Sequence, residues 1–144
     1  MYEDLVRQIL LYFSANKPPI KPELISFGLG IDIHYTNLPA GSGLLILYND
    51  KQIMLVEEKD PMVRKRFTIA HELGHYFLHD GDSLRFDKKK EREANIFAGT
   101  LLLPYFILEN YLHLSIPQIA KIFWVSQDTV RIRLEYLRKE KKIY

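Results

Sequence analysis

The chain opens on an apolar stripe. Leu5, Val6, Ile9, Leu10 and Phe13 recur at helical spacing and predict an amphipathic helix over residues 2–14. Lys17-Pro18-Pro19 stops it. Pro22 suits the first turn of a short second helix, which Gly28 and Gly30 close. The period then shortens to two, because Ile31 and Ile33 alternate with Asp32 and His34 and mark a strand over 31–35. After a loop at Pro39-Ala40-Gly41-Ser42-Gly43, two β-prone runs at 44–48 and 52–56 bracket Asn49-Asp50-Lys51. That is a hairpin, with a bulge in prospect because the turn has no glycine. An antiparallel sheet of about three strands follows from these runs. It serves either as scaffold or as a free edge to which an extended peptide could add.

Helical period returns at Asp60-Pro61, read as an N-cap followed by a proline at the first helical position. From there to His79 the pattern has two faces. With His71 at 0°, Arg64, Thr68, Glu72, His75 and His79 fall within about 100° of it. Met62, Val63, Ile69, Ala70, Leu73, Phe77 and Leu78 occupy the opposite side and face a core. Gly81 and Asp82 end the helix, and Asp87-Lys88-Lys89-Lys90 is read as a solvated connection. A second helix runs over 88–103 to Pro104, and a short one over 105–112. The tail reads as helix, tight turn and helix, with Ser126 as N-cap. Ile119, Ala120, Phe123, Val125, Val130, Ile132 and Leu134 are its expected internal contacts. The division that follows is a main unit over 1–114 and a helix-turn-helix-like tail over 115–144, packed on it or part of it.

Composition changes this picture little. With 144 residues, 47% hydrophobic and 26% charged, the chain can bury a core of its own. A net charge of +2 is too small to imply nucleic acid, a membrane surface or an acidic substrate. No run approaches about 18 apolar residues and no signal-like leader precedes the first helix, so the expected location is the cytoplasm. The absence of cysteine narrows the chemistry. Disulfides, thiolate zinc sites and thiol catalysis are excluded, and a metal would need His, Asp or Glu.

Those residues are present in one arrangement. His71-Glu72-Leu73-Gly74-His75 places two imidazoles about 40° apart on a helix face, with Glu72 about 100° from His71. Two imidazoles one turn apart can share a Zn²⁺, and the carboxylate between them can serve a water that the ion activates. Catalytic zinc takes a third protein ligand. The pattern that continues with Gly and then His at positions 78 and 81 is excluded, since Leu78 and Gly81 stand there. Glu91 on the following helix fits, with Asn95 one turn later to bond a ligand imidazole. Glu93 is the second choice; it lies about 200° from Glu91, so only one of the two can face the ion. His79 is a weaker third, one turn farther along the same rod, and is read as a bystander or a substrate contact. Tyr76, Tyr105, His113 and His34 are candidate donors to a reaction oxyanion, with a place at the core edge as the plainer reading of the tyrosines.

HELGH, followed by Glu91, Ala94, Asn95, Phe97, Ala98, Leu101, Leu102 and Pro104, resembles the ImmA/IrrE family of metallo-endopeptidases. The resemblance is strongest over residues 60–104. It implies an α+β fold in which a small sheet packs on a zincin-type active-site helix and a second ligand helix, with a helical tail. It also implies one Zn²⁺ per chain on His71, His75 and Glu91, Glu72 as catalytic base, and cleavage of a helix-turn-helix repressor in the cytoplasm to derepress a mobile element or stress regulon.

The tail supports a rival reading. Residues 119–134 resemble a helix-turn-helix, and Gln127, Arg131 and Arg133 could read bases from its second helix. On that reading the chain is a regulatory DNA-binding protein whose metal site is structural or inactive. Two features oppose it. Trp124 occupies a turn position that commonly takes glycine, and Glu135 and Glu140 dilute the basic end formed by Arg138, Lys139, Lys141 and Lys142.

Overall fold

A computed structural model of the chain describes residues 1–81 and 86–144. Asp82, expected to help end the helix through HELGH, lies outside the described residues. The first elements are helices α1 (Glu3–Tyr12) and α2 (Pro22–Gly28), with Pro22 in the first turn as its fixed φ favours. Strands β1 (Asp32–Thr36), β2 (Gly43–Tyr48) and β3 (Lys51–Glu57) follow. Next come the long helices α3 (Met62–Leu78) and α4 (Lys88–Leu102). The chain finishes with α5 (Tyr105–Leu108) and one 3₁₀ turn, then α6 (Ile116–Phe123) and α7 (Gln127–Lys139).

The sheet has the three expected strands but is mixed. Its order is β1-β3-β2; β2 and β3 pair antiparallel, whereas β1 runs parallel to β3. Residues 37–42 carry the chain across one strand position, and the hairpin folds β3 back into the gap. β2 is thereby left on an edge. The hairpin turn carries no bulge: Tyr48 pairs with Lys51 directly, and Asn49 and Asp50 both take positive φ, 50° and 61°. Short polar side chains tolerate that conformation, so a two-residue turn forms without glycine.

Met54, Val56 and Leu45 point to the sheet face that α3 covers, where Ile69, Ala70 and Leu73 meet them. One continuous core joins these to Val6 and Leu10 of α1, Phe97 and Leu101 of α4, and Phe123, Leu134 and Leu137 of α6 and α7. Ile132 was expected among the internal contacts of the tail. It is 64% exposed, and Leu137 takes a buried place one turn and more beyond it.

Two helix starts differ from expectation. Pro61, not Asp60, is the cap residue of α3; Asp60 pairs with Arg64 at 3.3 Å instead. At α4, Asp87 is no mere connector: its carboxylate accepts from the amides of Lys89 and Lys90. These bonds hold its carboxyl below the usual range.

Candidate metal centre and cleft

The site forms where α3 and α4 approach most closely. A Cβ at Gly74 would stand 3.0 Å from the Ala94 Cα and 3.2 Å from its carbonyl oxygen. Gly74 and Ala94 are thus the small pair that lets the backbones come together. One turn either way, this contact sets Glu91 opposite both histidines of α3. Glu91 Oε2 lies 2.8 Å from His71 Nε2, and Oε1 lies 3.1 Å from His75 Nε2. Among the described residues, His71, His75 and Glu91 form a group whose ligand atoms all lie within 4.8 Å of one another.

The donor set fits a divalent cation. His71 Nδ1 is 2.7 Å from Asn95 Oδ1, and with that oxygen accepting, the N–H is on Nδ1 and the Nε2 lone pair faces the carboxylate. A lone pair and a carboxylate oxygen at 2.8 Å repel unless a positive charge lies between them. Burial lowers the pKa of His75, and the neighbouring His71 acts in the same direction while Glu91 opposes it. Burial thus disfavours a cationic His75 as the charge facing Glu91 Oε1, 3.1 Å from its Nε2. Ligand atoms about 2.0 Å from one tetrahedral Zn²⁺ stand about 3.3 Å apart. The His71–Glu91 and His75–Glu91 contacts, at 2.8 and 3.1 Å, lie somewhat inside that spacing.

Glu72 is buried beside the cluster, with Oε2 3.8 Å from His71 Nε2. Its neighbour across the cleft is the start of β2. A Cβ at Gly43 would overlap the Thr68 methyl at 2.4 Å and come within 3.5 Å of Glu72 Cγ. Glycine there lets the edge strand lie directly over α3.

An open cleft of about 1130 Å³ runs past His71, Glu72, Glu91 and Asn95. Gly43 and Leu44 of the edge strand border one side. The other is bordered by Ile96 and Gly99 of α4 and by Thr129, Ile132 and Tyr136 of α7.

The remaining candidates are sorted by this geometry. Glu93 does not face the metal position; its Oε1 lies 3.1 Å from His79 Nε2, as its place on the other side of α4 requires. His79 does not line the cleft; its side chain is 6% exposed and its Nδ1 lies 2.9 Å from His75 Nδ1. None of the proposed oxyanion donors lines the cleft. Tyr76 packs edge-to-face on Phe77 against the core. The Tyr105 hydroxyl donates to the Lys142 carbonyl at 3.2 Å. His113 is exposed beyond the 3₁₀ turn, and His34 lies on the far face of the sheet. Donors that do line the cleft include Arg64, Arg92 and Tyr136. Nothing in the sequence linked Tyr136 to HELGH, since only the docking of α7 brings it there.

The tail adopts the turn that Trp124 was expected to oppose. Trp124 has φ 53° and ψ 55°. Its ring lies 5.1 Å from the Arg66 guanidinium carbon, and its carbonyl accepts from Arg66 Nε at 3.0 Å. These contacts offset the strain of a bulky left-handed residue. Two of the three base-reading candidates are otherwise engaged, and Gln127 is exposed. Arg133 is buried, donating to the Leu103 carbonyl and to Glu3, and Arg131 pairs with Asp128.

The family described as the IrrE N-terminal-like domain, Peptidase_M78, matches residues 28–135. The chain belongs to this peptidase family. The match covers the sheet, both helices of the IrrE-like centre and most of α7. A solved structure of a Mycobacterium tuberculosis transcriptional regulator shares the fold, with a TM-score of 0.71 and 21% identity over 92% of this chain and 54% of that one. The chain thus spans about half the length of that regulator. No curated protein matches the sequence. Among the described residues, no helix of this IrrE-like domain is long and apolar enough to cross a membrane.

Proposed function

We propose that the protein is a zinc-dependent endopeptidase that cleaves a protein substrate, a helix-turn-helix repressor being the expected one. The observation that carries this reading is the convergence of His71, His75 and Glu91 beside the buried carboxylate of Glu72, with His71, Glu72 and Glu91 lining an open cleft. His71, His75 and Glu91 would hold the ion, with Asn95 orienting His71. A zinc ion held there would supply Lewis acidity toward a peptide carbonyl and would lower the pKa of a bound water toward neutrality.

The chain supplies the rest. Glu72 accepts the proton of the attacking water and returns it to the leaving amine. The outer edge of β2 gives an extended substrate a strand to pair with, and Gly43 keeps that edge close to Glu72. Arg64, Arg92 and Tyr136, which line the cleft, replace the four donors expected from the sequence as candidates for a developing oxyanion. With α7 as a wall of this cleft and Arg133 buried, the tail is assigned to substrate engagement and not to DNA.

The test is co-incubation of the purified, zinc-loaded protein with the repressor encoded beside it. The wild type should cut it, and Glu72→Gln should retain zinc while losing about 10²–10⁴-fold in rate. Cleavage that persists undiminished in Glu72→Gln removes Glu72 from the mechanism.

A further inference from the structure

Behind the His71–His75–Glu91 cluster, two more side chains continue the line. His79 Nδ1 stands 2.9 Å from His75 Nδ1, and His79 Nε2 stands 3.1 Å from Glu93 Oε1. The His75 and His79 side chains are 2% and 6% exposed, so water cannot readily replace either partner.

The direction of these bonds follows from what each group can do. An ionised carboxylate only accepts, so the hydrogen between Glu93 and His79 is on His79 Nε2. A neutral imidazole carries one N–H, which leaves His79 Nδ1 as an acceptor. The contact at 2.9 Å is then a bond only if His75 Nδ1 donates. That leaves His75 Nε2 with its lone pair, aimed at the point shared with His71 Nε2 and Glu91. The reverse order would set a bare nitrogen of His79 against the Glu93 carboxylate; the order given sets the bare His75 Nε2 against Glu91 Oε1 at 3.1 Å, a contact that only a cation between them makes favourable. Asn95 exerts no such one-way control on His71, because an amide can either donate or accept.

We propose that Glu93 and His79 are positioning residues that hold His75 in the tautomer whose Nε2 lone pair faces the metal position. The proposal rests on the reading of His71, His75 and Glu91 as metal ligands. It assigns the second glutamate of the ExE pair and the third histidine of α3 to one device. Neither touches the ion or the substrate. Both act through His75, by fixing its ring orientation and raising the basicity of its free nitrogen.

Two measurements test it. The first uses metal-free Glu91→Ala protein, in which the carboxylate facing His75 Nε2 is gone, at pH 8 with ¹⁵N-labelled histidine, where two-bond ¹⁵N–¹H correlations report which ring nitrogen carries hydrogen. His75 should be protonated on Nδ1 in that protein and should become a mixture when His79→Phe is added. His79→Asn in its place should restore the Nδ1 pattern, since its Oδ1 falls close to the place of the lost Nδ1. The second is zinc affinity by competition with a chromophoric chelator. His79→Phe should weaken binding about 10–100-fold, and His79→Asn should recover most of the loss. Glu93→Leu should weaken it in the wild-type background and have no effect beside His79→Asn. His75 found protonated on Nε2 in the metal-free Glu91→Ala protein overturns the proposal, as does a folded His79→Phe with zinc affinity within about twofold of wild type. A wild-type protein that takes up no zinc overturns the metal reading itself, and the tautomer result keeps the two failures distinct.

Discussion

Glu91 is the residue on which the centre closes, because each of its oxygens meets a different histidine. Removing the carboxylate leaves two imidazoles, too few for the three protein ligands of a catalytic zinc. Glu91→Ala should therefore purify with much less than one zinc per chain under conditions that load the wild type. Stoichiometric zinc in that variant, by elemental analysis, would show that another group completes the site. Asp87 offers a different test at the same scale. Amide bonds from Lys90 and Lys89 hold its folded pKa below the ordinary aspartate value of 3.8. Its contribution is thus fully present above that unfolded value and is lost as pH falls through the lower, folded one. Asn also caps helices but does not titrate there. The melting temperature of Asp87→Asn should gain on the wild type as pH drops from about 5 to below 3. An unchanged gap across that range would mean that the cap does not titrate with folding.

At the scale of elements, the meeting of α3 and α4 decides whether the residues of HELGH and those of EREAN form one site. Helix propensity alone favours Gly74→Ala by about 1 kcal/mol. The 3.0 Å approach to the Ala94 backbone opposes it, and overpacking of this kind costs about 1–3 kcal/mol. We expect the packing effect to win: Gly74→Ala should lower the urea midpoint and weaken zinc binding together, as the helices separate and Glu91 withdraws. A stabilised variant with wild-type affinity would show that the contact is not limiting. The sheet teaches a related point. Alternating residues reveal that a strand exists, but direction and neighbour are properties of a pair. The hairpin was legible from its two runs and polar turn, whereas the parallel docking of β1 on β3 was not.

At the scale of the molecule, Arg66 ties the ends of the chain to its middle. It donates to the carbonyls of Ile20, Phe123 and Trp124 and is 2% exposed. Two of these carbonyls belong to the C-terminal end of α6, where a helix presents its negative pole. Arg66→Met should leave these buried acceptors unsatisfied and cost about 3 kcal/mol or more by chemical denaturation. Arg66→Lys should rescue little, since one ammonium cannot reproduce the guanidinium fork. A loss below about 1 kcal/mol in Arg66→Met would mean that the core holds α6 and α7 in place without it.

By itself, the sequence determined the local facts: the amphipathic helices, the polar line of α3 and the spacing that sets His71 and His75 one turn apart. It also limited the third ligand to a few acids and placed the chain in resemblance to a peptidase family. Local patterns carry such facts because helical and strand periods are properties of the backbone within a few residues. Only the tertiary structure decided that Glu91 faces the histidines while Glu93 turns to His79, and that α7 borders the cleft with Arg133 buried. Those outcomes depend on which surfaces of distant elements meet, through Gly74 against Ala94 and Arg66 against the end of α6. Periodicity names the face that will be buried; the packing of the whole chain decides what it is buried against.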